Sequence, residues 1–171
     1  MSLDVSDRCS GDIGRSVCIV YEEILPLARG VFGFVGQIMN ITVMELNKEF
    51  LGKLFEQAMA NPRLRQNFDL RTSANDNSQR MLNALLPGTV VPIHRHPNST
   101  ENVLLLCGKL VEVFYDENGN EKERIHLDPA LGNYGCVVPQ GEWHSVEVLE
   151  PSVIYEAKDG KYGEDGSESL G

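Results

Sequence analysis

Positive charge is scarce in this chain of 171 residues. Fifteen lysines and arginines stand against 25 aspartates and glutamates, a formal net charge of −10. A surface of that sign has little with which to displace counter-ions from a nucleic-acid backbone, so nucleic acid is not expected as a partner. A small anionic ligand is not excluded, because a bound divalent cation reverses the sign locally. Cysteine is sparse as well. Cys9, Cys18, Cys107 and Cys136 form no Cys-x-x-Cys pair, which argues against a thiolate zinc site. Cys107 and Cys136 lie in apolar strand-like runs and are expected to be buried thiols. No uncharged apolar run approaches membrane-spanning length. The first residues carry Asp4 and Asp7 where a secretory signal would have a basic stretch before an apolar core. These absences point to a reduced, cytoplasmic protein. The 42% of hydrophobic residues is enough for one domain with a packed core.

Residues 1–43 read as an N-terminal extension. Gly11, Gly14, Gly30, Gly33 and Gly36 interrupt its periodicity, and Val17 to Leu27 suits either a short helix or a short strand. An accessory lid, an oligomer contact and a start codon placed too far upstream all remain open, with Met39 or Met44 a natural beginning for the rest of the chain. Residues 44–78 form a helical lead-in. Leu46, Phe50, Leu51, Leu54, Phe55 and Met59 recur at helical spacing, Asn47 is the N-cap, and Asn61-Pro62 ends the helix. This stripe is expected to pack on the rest of the domain. From Gln79 to Tyr162 the pattern becomes short strands: Gln79–Leu85, Val90–His94, Glu101–Cys107, Leu110–Tyr115, Glu121–Leu127, Cys136–Val138, His144–Leu149 and Val153–Ala157. Turn residues separate them, among them Gly108, Asn118-Gly119 and Glu150-Pro151. So many short strands indicate a mainly β sandwich or barrel. Residues 163–171 are a tail.

Metal chemistry is suggested by histidines at strand spacing. On a strand, His94 and His96 point to one face, roughly 6.6 Å apart along the backbone, so both imidazoles can converge on one ion. Arg95 faces away. After the Pro97-Asn98 turn, a hairpin-like return carries the Glu101 carboxylate back towards the pair. His144 shares parity with Val146 and Val148, which places it on an apolar inner face. An inward histidine there needs a partner, and an ion shared with His94 and His96 supplies one. His126 lies in a charged strand and reads as an ordinary surface residue, and Trp143 reads as a packing residue.

The spacing Gly88, five residues, His94-x-His96, four residues, Glu101, six residues, Gly108 resembles the first motif of the cupin superfamily. Pro139-x-Gly141-Glu-Trp-His144 is similar to the centre of its second motif. The flanks depart from that motif: the upstream glycine is Gly132 or Gly135, and Val148 stands in place of an asparagine. The resemblance implies a double-stranded β-helix, or jelly-roll barrel, with the helix packed on it and one metal held by His94, His96, Glu101 and His144. Pro62 to Asn67, Gln79 to Leu85 leading into Pro87-Gly88, and Tyr155-Glu-Ala-Lys158-x-Gly160-x-Tyr162 further resemble the WbuC family of cupin-fold metalloproteins. That family occurs with genes for O-antigen and other surface-polysaccharide synthesis. Its members usually continue into an aromatic-rich tail, whereas this chain ends Glu164-Asp-Gly-Ser-Glu-Ser-Leu-Gly171.

Substrates of cupins bind in the barrel mouth beside the metal, so inward polar residues are the candidates for substrate binding. Asn83 has the parity of Met81 and Leu85. Arg80 has the opposite parity, and one of Gln79 and Arg80 should approach the cavity. Arg63 and Arg65 stand before the barrel, where guanidinium forks suit a carboxylate or phosphate. Tyr155 either lines the cavity or packs with its hydroxyl at the rim. Three imidazoles and a carboxylate suit Fe, Mn, Ni, Cu or Zn. The expected function is a metal-dependent isomerase, epimerase or oxygenase acting on a small sugar or sugar nucleotide. The alternative is a non-catalytic sugar-binding or regulatory cupin with a structural metal. A homodimer is expected.

Overall fold

A computed structural model describes residues 43–164 and 166–171. The reading of Val17 to Leu27, and of the extension before Val43, lies outside the described residues. Helix α1 spans Lys48–Ala60, followed by strands β1 (Arg65–Asp69), β2 (Ser78–Leu85), β3 (His94–Arg95), β4 (Glu101–Tyr115), β5 (Glu121–Leu127), β6 (Gly135–Val138), β7 (Trp143–Asp159) and β8 (Glu168–Ser169). A 3-10 turn over Pro129–Leu131 links β5 to β6. The side chain of Asn47 accepts a hydrogen bond from Phe50 N at 3.0 Å, as an N-cap does, and the helix stops before Pro62.

Two long strands, β4 and β7, organise the barrel. They run antiparallel from Glu101 opposite Lys158 to Tyr115 opposite Trp143. Beyond their bend the pair is shared by two layers. In one, β1, β2, the second half of β7, the first half of β4 and β6 lie side by side; in the other, β8, β3, the first half of β7, the second half of β4 and β5 do. Leu85, Val103, Leu105, Leu110, Phe114, Leu127, Val138, Val148 and Ile154 fill the space between the layers. A second apolar cluster lies outside β2 and β7. There Leu51, Leu54, Phe55 and Ala58 of α1 cover Leu82, Ala84, Cys107 and Val153.

Four strands of the sequence reading merge into two. Glu101–Cys107 and Leu110–Tyr115 are one strand, as are His144–Leu149 and Val153–Ala157. Gly108 bends the first without ending its ladder. Its φ is 91°, and a Cβ at this position would lie 2.2 Å from Pro151 O and 2.7 Å from Ser152 Cα. Register shifts between Leu105 and Leu110 absorb the bend. The expected strand Val90–His94 shrinks to His94–Arg95, since Pro92 has no N–H to offer a ladder. The lead-in and the tail each contribute a strand the sequence reading lacked, β1 and β8. On α1, Met59 is exposed and Ala58 takes the buried place. Gly108→Ala is expected to destabilise the protein by roughly 2–5 kcal/mol, from left-handed backbone strain and the backbone clash together; urea unfolding of the variant against the wild type measures it.

Candidate metal centre

His94 on β3 pairs in register with His144 on β7, so the sheet itself sets two imidazoles side by side. His96 follows two residues after His94 on the same face. The ring centroids lie 4.3 Å apart for His94 and His144, 5.0 Å for His94 and His96, and 5.5 Å for His96 and His144. One nitrogen from each ring lies within 4.8 Å of the other two. Nδ1 of His94 is 3.0 Å from the Pro92 carbonyl, and Nδ1 of His144 is 3.0 Å from the Glu142 carbonyl. A carbonyl only accepts, so the proton sits on Nδ1 in both rings and each Nε2 presents a lone pair. Burial, and then the neighbouring His144 ring, lowers the His94 pKa to about 4, and burial lowers that of His144. Both rings are therefore neutral at physiological pH, the state in which imidazole binds a metal. Nε2 of His144 is buried with no hydrogen-bond partner. An orphaned lone pair aimed at two other imidazoles is what a divalent ion would satisfy, so the residues present fit the implied metal.

Glu101 is tied to His96 and to a lysine. Its Oε2 is 2.9 Å from His96 Nε2 and accepts a hydrogen bond from Lys158 Nζ at 3.3 Å. Lys158 stands directly across the β4–β7 ladder from Glu101, is buried, and also pairs with Glu156 Oε1 at 3.1 Å. Burial opposes ionisation of Glu101, but the His96 bond and the Lys158 charge outweigh it and hold the carboxyl well below the ordinary glutamate range. Asn83 donates to Glu156 Oε2 at 3.0 Å.

These groups line a cavity of about 540 Å³, which also takes in Arg63, Arg65, Gln79, Met81, Leu85 and Glu112. His94, His96, Glu101, His144, Asn83 and Arg65 all line this one cavity. Two expected residues do not. Arg80 turns outward to Asp76 Oδ2 at 2.6 Å and Ser78 Oγ at 2.7 Å, and Gln79 takes the inward place because it shares parity with Met81 and Asn83. Tyr155 packs in the cluster under α1, and its neighbour Glu156 faces the cavity. Cys107 is buried and Cys136 half-buried. Burial first, then the nearby Glu112 and Glu101 carboxyls, pushes the Cys136 thiol up to about 12, which disfavours the thiolate.

Glu112 is the residue the sequence reading missed. It is 1% exposed, and its Oε2 has no hydrogen-bond partner. It lies across from Val146, one layer below the Phe114–His144 pair. Burial first, then Glu101 and Glu156, raises its pKa well above the ordinary range, which favours the protonated form. The signal was available: an acid in step with the inward Leu110 and Phe114 cannot face water.

Residues 46–127 match the family model of a domain of unknown function, DUF6016. No curated protein matches the sequence. Among solved structures, CapF with the inhibitor 3-isopropenyl-tropolone is similar with a TM-score of 0.52 and 20% identity, over 61% of this chain and 31% of that one. The fold is the cupin fold. The capsular polysaccharide assembling protein CapF from Staphylococcus aureus aligns with a TM-score of 0.47 and 21% identity, over 56% of this chain and 27% of that one. Oxalate oxidase in complex with the substrate analogue glycolate aligns at 0.48 and 16%, over 65% and 57%. The chain spans about a third of the length of the first CapF structure. No helix among the described residues is long and apolar enough to cross a membrane.

The buried acid generates a signed prediction. A folded-state pKa raised above the unfolded value means that the native state holds the extra proton, so Glu112 costs stability as pH rises above the ordinary glutamate range. With chelator present, Glu112→Gln is expected to gain on the wild type as pH rises above the ordinary glutamate range, by up to about 1.4 kcal/mol per pH unit. Glu112→Leu is expected to be more stable than wild type by roughly 1–3 kcal/mol at pH 7. Urea unfolding across that pH range checks both.

Proposed function

We propose that this protein is a metal-dependent enzyme acting on a small, polar, anionic sugar or sugar nucleotide in surface-polysaccharide synthesis. The observation that carries the reading is the partnerless, buried Nε2 of His144, which faces two further imidazoles on the wall of a roomy polar cavity. His94, His96 and His144 would hold one divalent ion, with Fe, Mn, Ni, Cu and Zn all suited to imidazole donors. Bound there, the ion would act as a Lewis acid on a substrate oxygen. Three protein nitrogens leave coordination positions for that oxygen, which favours a catalytic over a purely structural ion.

The chain's own side chains supply the rest. Arg63 and Arg65 offer guanidinium forks to a carboxylate or phosphate. The amides of Gln79 and Asn83 orient ring hydroxyls, while Met81, Leu85, Val146 and Ile154 exclude water from the floor. The carboxyl of Glu112, in which burial favours the protonated form, stands next to that floor. The link to polysaccharide synthesis is supported by the motifs around Pro62, Gln79 and Tyr155, and the likeness to CapF adds only the fold. The protein works in the cytoplasm as a homodimer; light scattering should return twice the chain mass of 19.0 kDa.

Elemental analysis of protein purified without chelator tests the reading. The wild type should carry about one equivalent of a divalent transition metal, and His96→Ala should lose at least about tenfold in occupancy while keeping its β-rich circular dichroism. Equal occupancy in the variant would remove His96 from the centre. Turnover of sugar phosphates and sugar nucleotides, followed by proton NMR, should then depend on the metal and fall in Arg65→Ala chiefly through KM.

A further inference from the structure

We propose that the turn entering β1 is a phosphate clamp: Leu64, held in a left-handed backbone by Thr89, sets Arg63 and Arg65 at the cavity to take the phosphate of a phosphorylated small metabolite. This rests on the small-metabolite reading of the cavity and narrows it to one recognised group, but it does not depend on the metal.

Arginines elsewhere in this acidic chain are matched by carboxylates. Arg71 pairs with Asp69, Arg80 with Asp76, Arg95 with Glu117 and Glu168, and Arg124 with Glu121 and Glu147. Among the described residues the guanidinium groups of Arg63 and Arg65 meet no carboxylate, and both residues line the cavity. The acids of the cavity do not claim them, since Glu101 and Glu156 are held by Lys158.

The backbone between the two arginines is strained. Leu64 has a φ of 55°, and among the described residues it is the one non-glycine in the left-handed region. Such a conformation persists only where neighbours over-determine it. Leu64 N donates to Asn61 O at 2.8 Å, and its carbonyl accepts from Leu86 N at 3.0 Å and from the Thr89 hydroxyl at 2.7 Å. Thr89 is buried, and the Leu64 side chain lies over Gly88, where an added Cβ would be 3.1 Å from Cδ1. Arg65 then enters β1 opposite Leu85, an inward position of β2. Arg63 precedes the strand and depends on the turn for its place. Thr89 is therefore a positioning residue: it touches the turn and acts through the arginines.

The charges select the ligand. One guanidinium fork saturates a carboxylate. Two forks with two positive charges match a phosphate monoester, which carries close to two negative charges and three acceptor oxygens at neutral pH. A second, separate observation asks for a ligand in the same cavity: Oε2 of Glu112 is buried there without a hydrogen-bond partner. A cavity of about 540 Å³ with an acid at its floor and guanidinium groups at its mouth suits a hydroxylated body ending in a phosphate, as in a sugar phosphate.

Inorganic phosphate is the probe, with acetate as the carboxylate comparison. Binding to the full chain, stripped of metal and desalted, is followed by amide chemical shifts in NMR titrations. Phosphate should saturate one site and bind at least about fivefold more tightly than acetate. Arg63→Gln and Arg65→Gln should each weaken phosphate about tenfold or more. Thr89→Val removes a hydroxyl and no charge, and should weaken phosphate about fivefold, while Thr89→Ser stays within about twofold of wild type. If Thr89→Val does not fold, Leu64→Gly, which loosens the turn yet tolerates its backbone, takes its place with the same expectation. Phosphate binding that is no tighter than acetate, or unchanged in both arginine variants, overturns the clamp. Phosphate binding unchanged in Thr89→Val, or in Leu64→Gly where that replaces it, overturns the role of the turn. Because the protein is metal-free throughout, either failure leaves the metal reading standing, and a chain that binds phosphate but never metal overturns only that reading.

Discussion

The register between β4 and β7 is the constraint on which the rest of the molecule depends. Gly108 lets both strands bend together against Pro151, so one continuous ladder crosses from one layer of the barrel to the other. At one end the ladder puts Glu101 opposite Lys158, and towards the other it puts Phe114 opposite His144. β3 docks on the same strand and sets His94 beside His144. A slip of one residue would turn all of these side chains out of the cavity. The metal centre is therefore a property of strand pairing and not of a mobile loop.

The cavity concentrates costly groups. Three imidazoles, an ion-paired glutamate, a buried glutamate with an unpartnered oxygen and a buried lysine line one cavity. None of them helps a barrel to fold as well as a leucine would. Their presence beside well-packed apolar layers marks this end of the barrel as the place where stability gives way to chemistry. The acidic surface of the chain does not extend its rule to the mouth, where Arg63 and Arg65 stand.

Much of this was legible in the amino-acid order. The helix was readable because its apolar stripe, N-cap and terminating Pro62 agree, and the histidines because strand parity alone carries His94, His96 and His144 inward. What escaped did so for physical reasons. α1 covers the outer face of β2 and β7, so both faces of those strands are apolar in part and alternation no longer tells inside from outside. That is why alternation could not choose between Arg80 and Gln79, or between lining and packing for Tyr155. Gly108 looked like a turn because a glycine that ends a strand and one that bends it carry the same signal. β8 offers only Glu168 and Ser169, which have no strand propensity of their own and pair because β3 leaves an edge open.

That last strand changes how the protein should be handled. Glu168 grips Arg95, which stacks on Trp143, and Ser169 pairs with His94, so this segment is laced to the rim of the cavity. A polyhistidine handle attached close after this segment would bring foreign imidazoles to the rim of the cavity, so metal counting and spectroscopy call for protein from which such a handle has been cleaved.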